Sequence, residues 1–467
     1  MGAGASRKHH KYHSKRIPSP PPPPPGESLS SLKDTVQPKT PVQDQHFSHE
    51  AQNKDIKEQV DVARTSQTST DMKASPNDTL EAYKAKYPDQ AEDLETMLER
   101  IQALKNFVDK NLNDSVDYAK VGKMTKGLFH QSVLTVKSVG TREEKQFTTL
   151  IEFTIDVGGA EQLKRFVLHC FKKFSYLIND NDKSEDEEEP DDNDESNDEE
   201  ETDDYTCYDC LGSSIATIHT LSNFHQGFCS ACAGAGIISM CFEIAKQIDA
   251  ENPNWEEENW KLVAIIQSFL GILHNILRRL RDRELFANRE QKLLYFAKKK
   301  VPAIAALSLL NLAYLVDENT NHLILADENL LSFIITLLDG ACRLEDRRRC
   351  YGFSAKELTE GVSYLAINDT NKNILGQNGV IPVLISVIKT SNEDEEKASA
   401  TRALWMLAFD DNNKEKIPQE EGAMDILHQL QQSKNSEVQK AAAGALWELE
   451  GKTARQSSEE KESTGIT

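Results

Sequence analysis

The stretch GVIPVLISVIKTSNEDEEKASATRALWMLAF, Gly379 to Phe409, decides the fold. In its first half Ile381, Leu384, Ile385 and Ile388 fall at i, i+3, i+4 and i+7, the spacing that lines one face of an α-helix. Pro382 stands near the helix start, where a missing N–H costs nothing. In the second half Ala400, Ala403, Leu404 and Leu407 repeat the spacing after the acidic lead-in Glu393 to Glu396, which suits the positive end of a helix dipole. Neither helix can bury its apolar stripe alone, so each predicts a packed neighbour.

That neighbour is written into the sequence as a copy. Ala442, Ala445, Leu446 and Leu449 stand 42 residues further on, and Leu358, Gly361, Val362 and Leu365 stand 42 residues back. Ala305, Ser308, Leu309 and Leu312 form another copy at a spacing of 53, the extra length falling in a basic loop from Cys342 to Cys350. Gly422-Ala423-Met424 answers Gly379-Val380-Ile381 at 43. A repeat of roughly 40 to 47 residues built from two or three helices is the pattern of an α-solenoid, so the expected fold is all-α.

Helical periodicity begins well before this array. From Thr79, residues Leu94, Met97, Leu98, Ile101 and Leu104 follow a 3.6 period, and the runs Phe147 to Ile155 and Leu163 to Leu177 are separated by the helix stop Gly158-Gly159. From Trp260, a stripe of Leu262, Ile265, Ile266, Phe269 and Leu273 leads into Arg278, Arg279, Arg281 and Arg283. With Arg289, Lys292 and Lys298 to Lys300 these make a basic stretch, read as a solvated helix face; no recognition motif accompanies it, so no nucleic-acid partner is expected.

Two cysteine pairs compete for another reading. Cys207-x-x-Cys210 and, eighteen residues on, Cys229-x-x-Cys232 have the spacing of a four-thiolate zinc site. Against this, Ile215, Ile218 and Leu221 continue a helical stripe, and Gly234-Ala235-Gly236-Ile237-Ile238 repeats the Gly379 junction, which puts the second pair inside a helix. Structural or free thiols are the preferred reading, with no metal and no cofactor.

The chain has 467 residues, 38% of them apolar, and a net charge of -22. The charge is local. From Asp180 to Asp204 there are seventeen Asp and Glu against the single Lys183, so this tract holds most of the net charge. It is expected to be a disordered insert, because it cannot bury enough apolar surface to order itself. Eight cysteines without a secretory leader point to a reducing, cytoplasmic compartment, and the apolar runs, the longest near Val301 to Leu315, are too short to span a membrane.

The N-terminus MGAGASRKHHKYHSKR fits the N-myristoylation pattern, with Gly2 as acceptor and Ser6 at the sixth position. A single acyl chain gives only marginal attachment, and Arg7, Lys8, Lys11, Lys15 and Arg16 supply a second signal, each contributing about 1 kcal/mol at an anionic leaflet. Residues 18–25 are proline-rich, and the run Pro20 to Pro25 suits an SH3-type reader. The expected organisation is a disordered tail 1–76, with 1–16 as the acylation and polybasic segment; helical repeats 77–179; the acidic insert 180–204; the main array 205–452; and a polar tail 453–467.

NKNILGQNGVIPVLISVI from Asn371, followed by EKASATRALWMLAF, resembles the three helices of the armadillo repeat. The resemblance is specific over about Val301 to Gly451 and implies a superhelix whose third helices line a groove for an extended peptide or a partner domain. Importin- and catenin-like members place an Asn in each third helix to clamp a peptide backbone. Here that position is Asn311, then Tyr364, Met406 and Glu448, so the same clamp is not expected. Trp405 and Trp447 share a register and are candidates for the groove wall. The end ALWELEGK, from Ala445, is also similar to the last repeat of SARM-like proteins that continue into a TIR domain, although no TIR pattern follows here.

The expected function is a non-enzymatic interaction scaffold, held on the cytoplasmic face of a membrane by its N-terminus and taking a protein partner in the groove. No phosphate loop, H-E-x-x-H or G-x-S-x-G motif is present. The alternative implied by the second resemblance is a regulatory or sensor domain of a TIR-type NAD hydrolase system, binding a nucleotide or a TIR partner. If the N-terminal reading is right, the intact mass of protein from its native type of cell carries a myristoyl group on Gly2; a free or acetylated Gly2 would refute it.

Overall fold

A computed structural model describes residues 74–111, 115–134, 142–180, 206–252, 254–316, 320–343, 348–350 and 353–463. Gly2, the basic residues Arg7 to Arg16, the run Pro20 to Pro25 and the acidic tract after Asp180 lie outside the described residues.

The described residues group into seven repeats. The first holds α1 (Pro76–Lys86), α2 (Ala91–Asp109) and α3 (Ser115–Leu134), and the second α4 (Arg142–Asp156), α5 (Gly159–Asp180) and α6 (Cys207–Phe224). The third has α7 (Gln226–Gly234), α8 (Ile237–Glu251), the single turn α9 (Trp255–Glu258) and α10 (Trp260–Leu280). In the fourth and fifth the first helix shrinks to a 3-10 turn, Arg283–Phe286 before α11 (Glu290–Phe296) and α12 (Pro302–Leu315), and Asn321–Ile324 before α13 (Glu328–Arg343) and α14 (Ala355–Leu365). The sixth is α15 (Asp369–Gln377), α16 (Val380–Thr390) and α17 (Asp394–Leu407), and the seventh α18 (Asp411–Lys416), α19 (Ala423–Gln431) and α20 (Ser436–Ser463). This is an all-α, armadillo-type solenoid.

Local sequence chemistry sets the helix boundaries. Ser75 caps α1 in a capping box with Asp78, with Pro76 in its first turn, so α1 starts at the edge of the segment expected as tail. Thr206 with Asp209 and Ser354 with Glu357 start α6 and α14 in the same way. In five of the seven repeats the turn from first to second helix uses a left-handed residue. Gly158, Gly236, Gly379 and Gly422 supply it at φ of 78°, 77°, 81° and 74°, and Asn288 takes the place at 63° before α11.

Two boundaries differ from the sequence reading. The loop expected from Cys342 to Cys350 contains a short antiparallel strand pair, Arg349–Cys350 with Phe353–Ser354, packed on α13 and α14. In addition, α20 runs on through Gly451 to Ser463, into the stretch expected to be a polar tail. The Glu, Lys, Gln and Arg of that stretch are good helix formers, and no proline intervenes.

Third helices pack on third helices in one unbroken series: α3 on α6, α6 on α10, α10 on α12, α12 on α14, α14 on α17 and α17 on α20. The second helices α2, α5 and α8 stack alongside, as do α13 and α16. At the centre, α12 is buried on every side from Ile304 to Leu315, which explains its lack of an exposed polar face. By length and composition α10 could cross a membrane, but 67% of its apolar window is buried against the neighbouring helices, as in the core helix of a globular domain.

The sixth and seventh repeats approach so closely that a Cβ on Gly376 would stand 1.6 Å from Oδ1 of buried Asn413, whose Nδ2 donates to the Lys372 carbonyl at 3.0 Å. Gly376→Ala is therefore expected to destabilise the protein by about 1–3 kcal/mol, read as a lower urea midpoint. Gly212→Ala in α6, with nothing within 4 Å of the added methyl, is the matched control and should be neutral or stabilising.

Candidate third-helix binding face

Asn311, the residue best placed to act as a peptide clamp by sequence, is fully buried in α12. Its Nδ2 donates to the Leu270 carbonyl at 3.1 Å, and its Oδ1 lies 2.9 Å from His274 Nδ1, both on α10. Asn275 does the equivalent work one repeat earlier, donating to the His219 carbonyl and to Ser222 Oγ at 3.1 Å each. Asparagine on these helices ties one third helix to the next, and the fully buried Asn311 is enclosed away from a partner.

Two ion pairs then close the face over α12. Arg278 reaches Glu357 at 3.4 Å and Arg281 reaches Glu360 at 3.0 Å, both pairs running from α10 to α14. Three residues separate the partners on each helix, so the pairs are parallel straps one helical turn apart. Burial of Glu357 opposes its ionisation, but Arg278, His274 and Arg349 outweigh burial and bring its pKa down to about 2.

Beyond the straps the face opens. His274, Tyr314 and Tyr364 stack across α10, α12 and α14, with ring centroids 5.5 and 4.9 Å apart. Tyr364, half-buried, is the last of the three and feels Arg281, Arg402, Arg283 and Glu360. Burial pushes its phenol up, against the pull of the guanidinium groups. Arg281 takes a left-handed backbone conformation, φ 51°, at the end of α10, and its charge is felt by Tyr364, Glu360, Tyr314 and Glu437. Side chains from α10, α14, α17 and α20 thus meet in one recess: Arg281, Glu360, Tyr364, Arg402 and Glu437.

The other expected partner-binding residues continue the face toward the C-terminal end. Trp405 lies edge to edge with Gly444 of α20, where a Cβ would come within 2.6 Å of the indole, and its ring centroid is 6.4 Å from Phe409. It is therefore a packing residue whose ring is half-buried. Trp447, in the same register, has no third helix beyond it among the described residues and is 70% exposed. Met406 is half-buried against the core, and Glu448 pairs with Lys414 at 2.8 Å. Sequence reasoning missed Arg402 and Glu360, which occupy the same repeat position 42 residues apart; charge at that position was the available signal.

The basic stretch does not form one surface. Arg278, Arg279 and Arg281 turn toward the third-helix side, whereas Arg289 donates to Ser239 Oγ and Lys299 pairs with Asp249 and Glu256, tying α11 and the following turn to α8 and α9. Nor do the two cysteine pairs form a metal site. Cys207 donates to the Cys170 carbonyl at 3.0 Å, Cys210 to that of Tyr118 at 3.5 Å and Cys229 to that of Ser222 at 3.1 Å, while Cys232 is buried in α7. No group of metal-ligating side chains converges among the described residues. Burial pushes the Cys210 and Cys229 thiols up to about 12, unlike metal-ready thiolates.

No protein-family model and no curated protein matches this chain. Similar solved structures include an engineered protein, 15% identical over 85% of this chain and 99% of its own, with a TM-score of 0.34. A designed armadillo repeat protein is 20% identical over 51% of this chain and 93% of its own, TM-score 0.33. Another, in complex with the peptide (KR)4, is 16% identical over 75% and 98%, TM-score 0.27.

Glu357 gives the face a pH dependence. A carboxyl whose pKa is lowered on folding stabilises fully above its unfolded value near 4.5, and that contribution disappears as pH falls toward about 2. Glu357→Gln, which strips Arg278 of its counter-charge, should lower stability at neutral pH by about 3 kcal/mol. The gap between wild type and variant, measured by urea unfolding, should shrink as the buffer is acidified from about pH 6 to about pH 3.

Proposed function

We propose that the protein is a protein–protein interaction scaffold that takes its partner on the third-helix face of the last three repeats. The observation that carries this reading is the recess at Tyr364, where side chains from four different third helices meet on a stack whose own hydrogen bonds and ion pairs hold them in place. A preformed face of this kind costs little ordering on binding, which is what an interaction surface needs. Trp405 and Trp447 extend it by one and two repeats with aromatic surface of the type that dominates interface energetics.

The N-terminal segment gives the scaffold its place. Gly2 accepts a myristoyl group, Arg7, Lys8, Lys11, Lys15 and Arg16 hold it to anionic lipid, and the proline run leaves a tether between membrane and array. The protein then works at the cytoplasmic face of a membrane.

Photo-crosslinking tests both halves. A crosslinking amino acid placed at Trp447 should capture a distinct protein partner that the same probe at Tyr295, 45% exposed on α11, does not. Gly2→Ala should shift the protein out of the membrane fraction without abolishing capture through Trp447. Equal capture at both positions would remove the groove reading, and an unchanged membrane fraction would remove the tether.

A further inference from the structure

Arg402 is the least satisfied cation of the recess. Among the described residues its ion-pair partner is Glu437, 3.7 Å away and too far for a hydrogen bond, so a guanidinium with five donors spends none of them on those residues. Tyr364 is in the same condition: its ring packs on Tyr314, and its hydroxyl makes no hydrogen bond to the described residues. Arg281 is paired with Glu360 at 3.0 Å, but Arg283 spends its donor on the Val316 carbonyl, which cancels no charge. Tyr364 thus feels three guanidinium groups, Arg281, Arg402 and Arg283, against the carboxylate of Glu360.

We propose that this recess binds a carboxylate side chain of an acidic, extended peptide, with Arg402 and Tyr364 donating to it. The inference rests on the reading that the third-helix face takes a protein partner, and it names that partner's chemistry. Arg402 offers the planar fork that matches a carboxylate in two parallel bonds, and the Tyr364 hydroxyl supplies a third donor. Arg281 and Arg283 strengthen the local field without releasing their present partners. A peptide fits better than a free anion because the face continues past the recess. Neighbouring third helices are spaced by about 8–10 Å, so Trp405 on α17 lies about three extended residues from Tyr364 on α14, within reach of the same segment.

Fluorescence polarisation of labelled octaglutamate, octalysine and octaserine on the full chain tests this. Octaglutamate should bind and octaserine should not, with affinity falling as salt is raised, whereas octalysine, attracted by the acidic tract Asp180 to Asp204, should bind wild type and Arg402→Gln equally. Arg402→Gln should weaken octaglutamate binding by about 10-fold to 100-fold and Tyr364→Phe by about 3-fold to 10-fold, with unchanged circular dichroism spectra showing that both still fold. Arg402→Lys keeps the charge but loses the fork and should fall between wild type and Arg402→Gln. No preference for octaglutamate over octaserine, or equal binding by wild type and Arg402→Gln, overturns the proposal. So does displacement of the probe by inorganic phosphate as complete as by unlabelled octaglutamate at equal ionic strength, which marks a simple anion site. If octaglutamate fails while a probe at Trp447 still captures its partner, the acidic-peptide inference falls and the scaffold reading stands; if Trp447 captures nothing distinct, the scaffold reading falls first.

Discussion

The structure depends on the burial of one third helix by the next. Each repeat has apolar residues on two sides and cannot fold around itself, so stability comes from interfaces between repeats. Burial at α12 is total: the mostly apolar run Ile304 to Leu315 is enclosed by α10, α14 and the second helices, and two ion pairs run across it from α10 to α14. The Arg278–Glu357 pair is itself enclosed, so removing one of its partners would leave an uncompensated buried charge.

The enclosure has a functional consequence. Polar side chains that could have met a partner along α10 and α12 are used to hold the stack, Asn275 and Asn311 by bonding backbone carbonyls, Arg278 and Glu357 by bonding each other. What the stack leaves unspent is the part of the face where the straps end. There the chain places Tyr364, Arg402, Trp405 and Trp447, three of them aromatic and one a cation with unspent donors. The division follows from geometry, since a polar group enclosed by neighbouring helices must find its partner within the protein.

Much of the architecture was legible in the sequence. The 42-residue recurrence of Ala400, Ala403, Leu404 and Leu407 marked the third helices, and Gly236, Gly379 and Gly422 marked the turns, because a left-handed turn and a close helix contact each demand a particular residue type. The placement of Cys229 and Cys232 inside a helix leading to Gly236 could be seen the same way. The first helices of the fourth and fifth repeats were less visible, since a 3-10 turn such as Asn321–Ile324 is too short to carry a period. The continuation of α20 to Ser463 was missed because polar composition was read as tail, although its residues favour helix.

The candidate site divides along the same line. The sequence by itself determined that Tyr364, Trp405, Met406, Trp447 and Glu448 stand at repeated positions of third helices, because helical spacing and repeat length fix a residue's place along the stack. It could not determine which of them face solvent, nor that Arg281 and Arg402, 121 positions apart, share a recess. Those facts depend on how far side chains of one repeat reach across the next. A periodic pattern sets neighbours one repeat apart, whereas the Arg278 and Arg281 straps span two, and only the packed tertiary structure brings such distant groups within bonding distance.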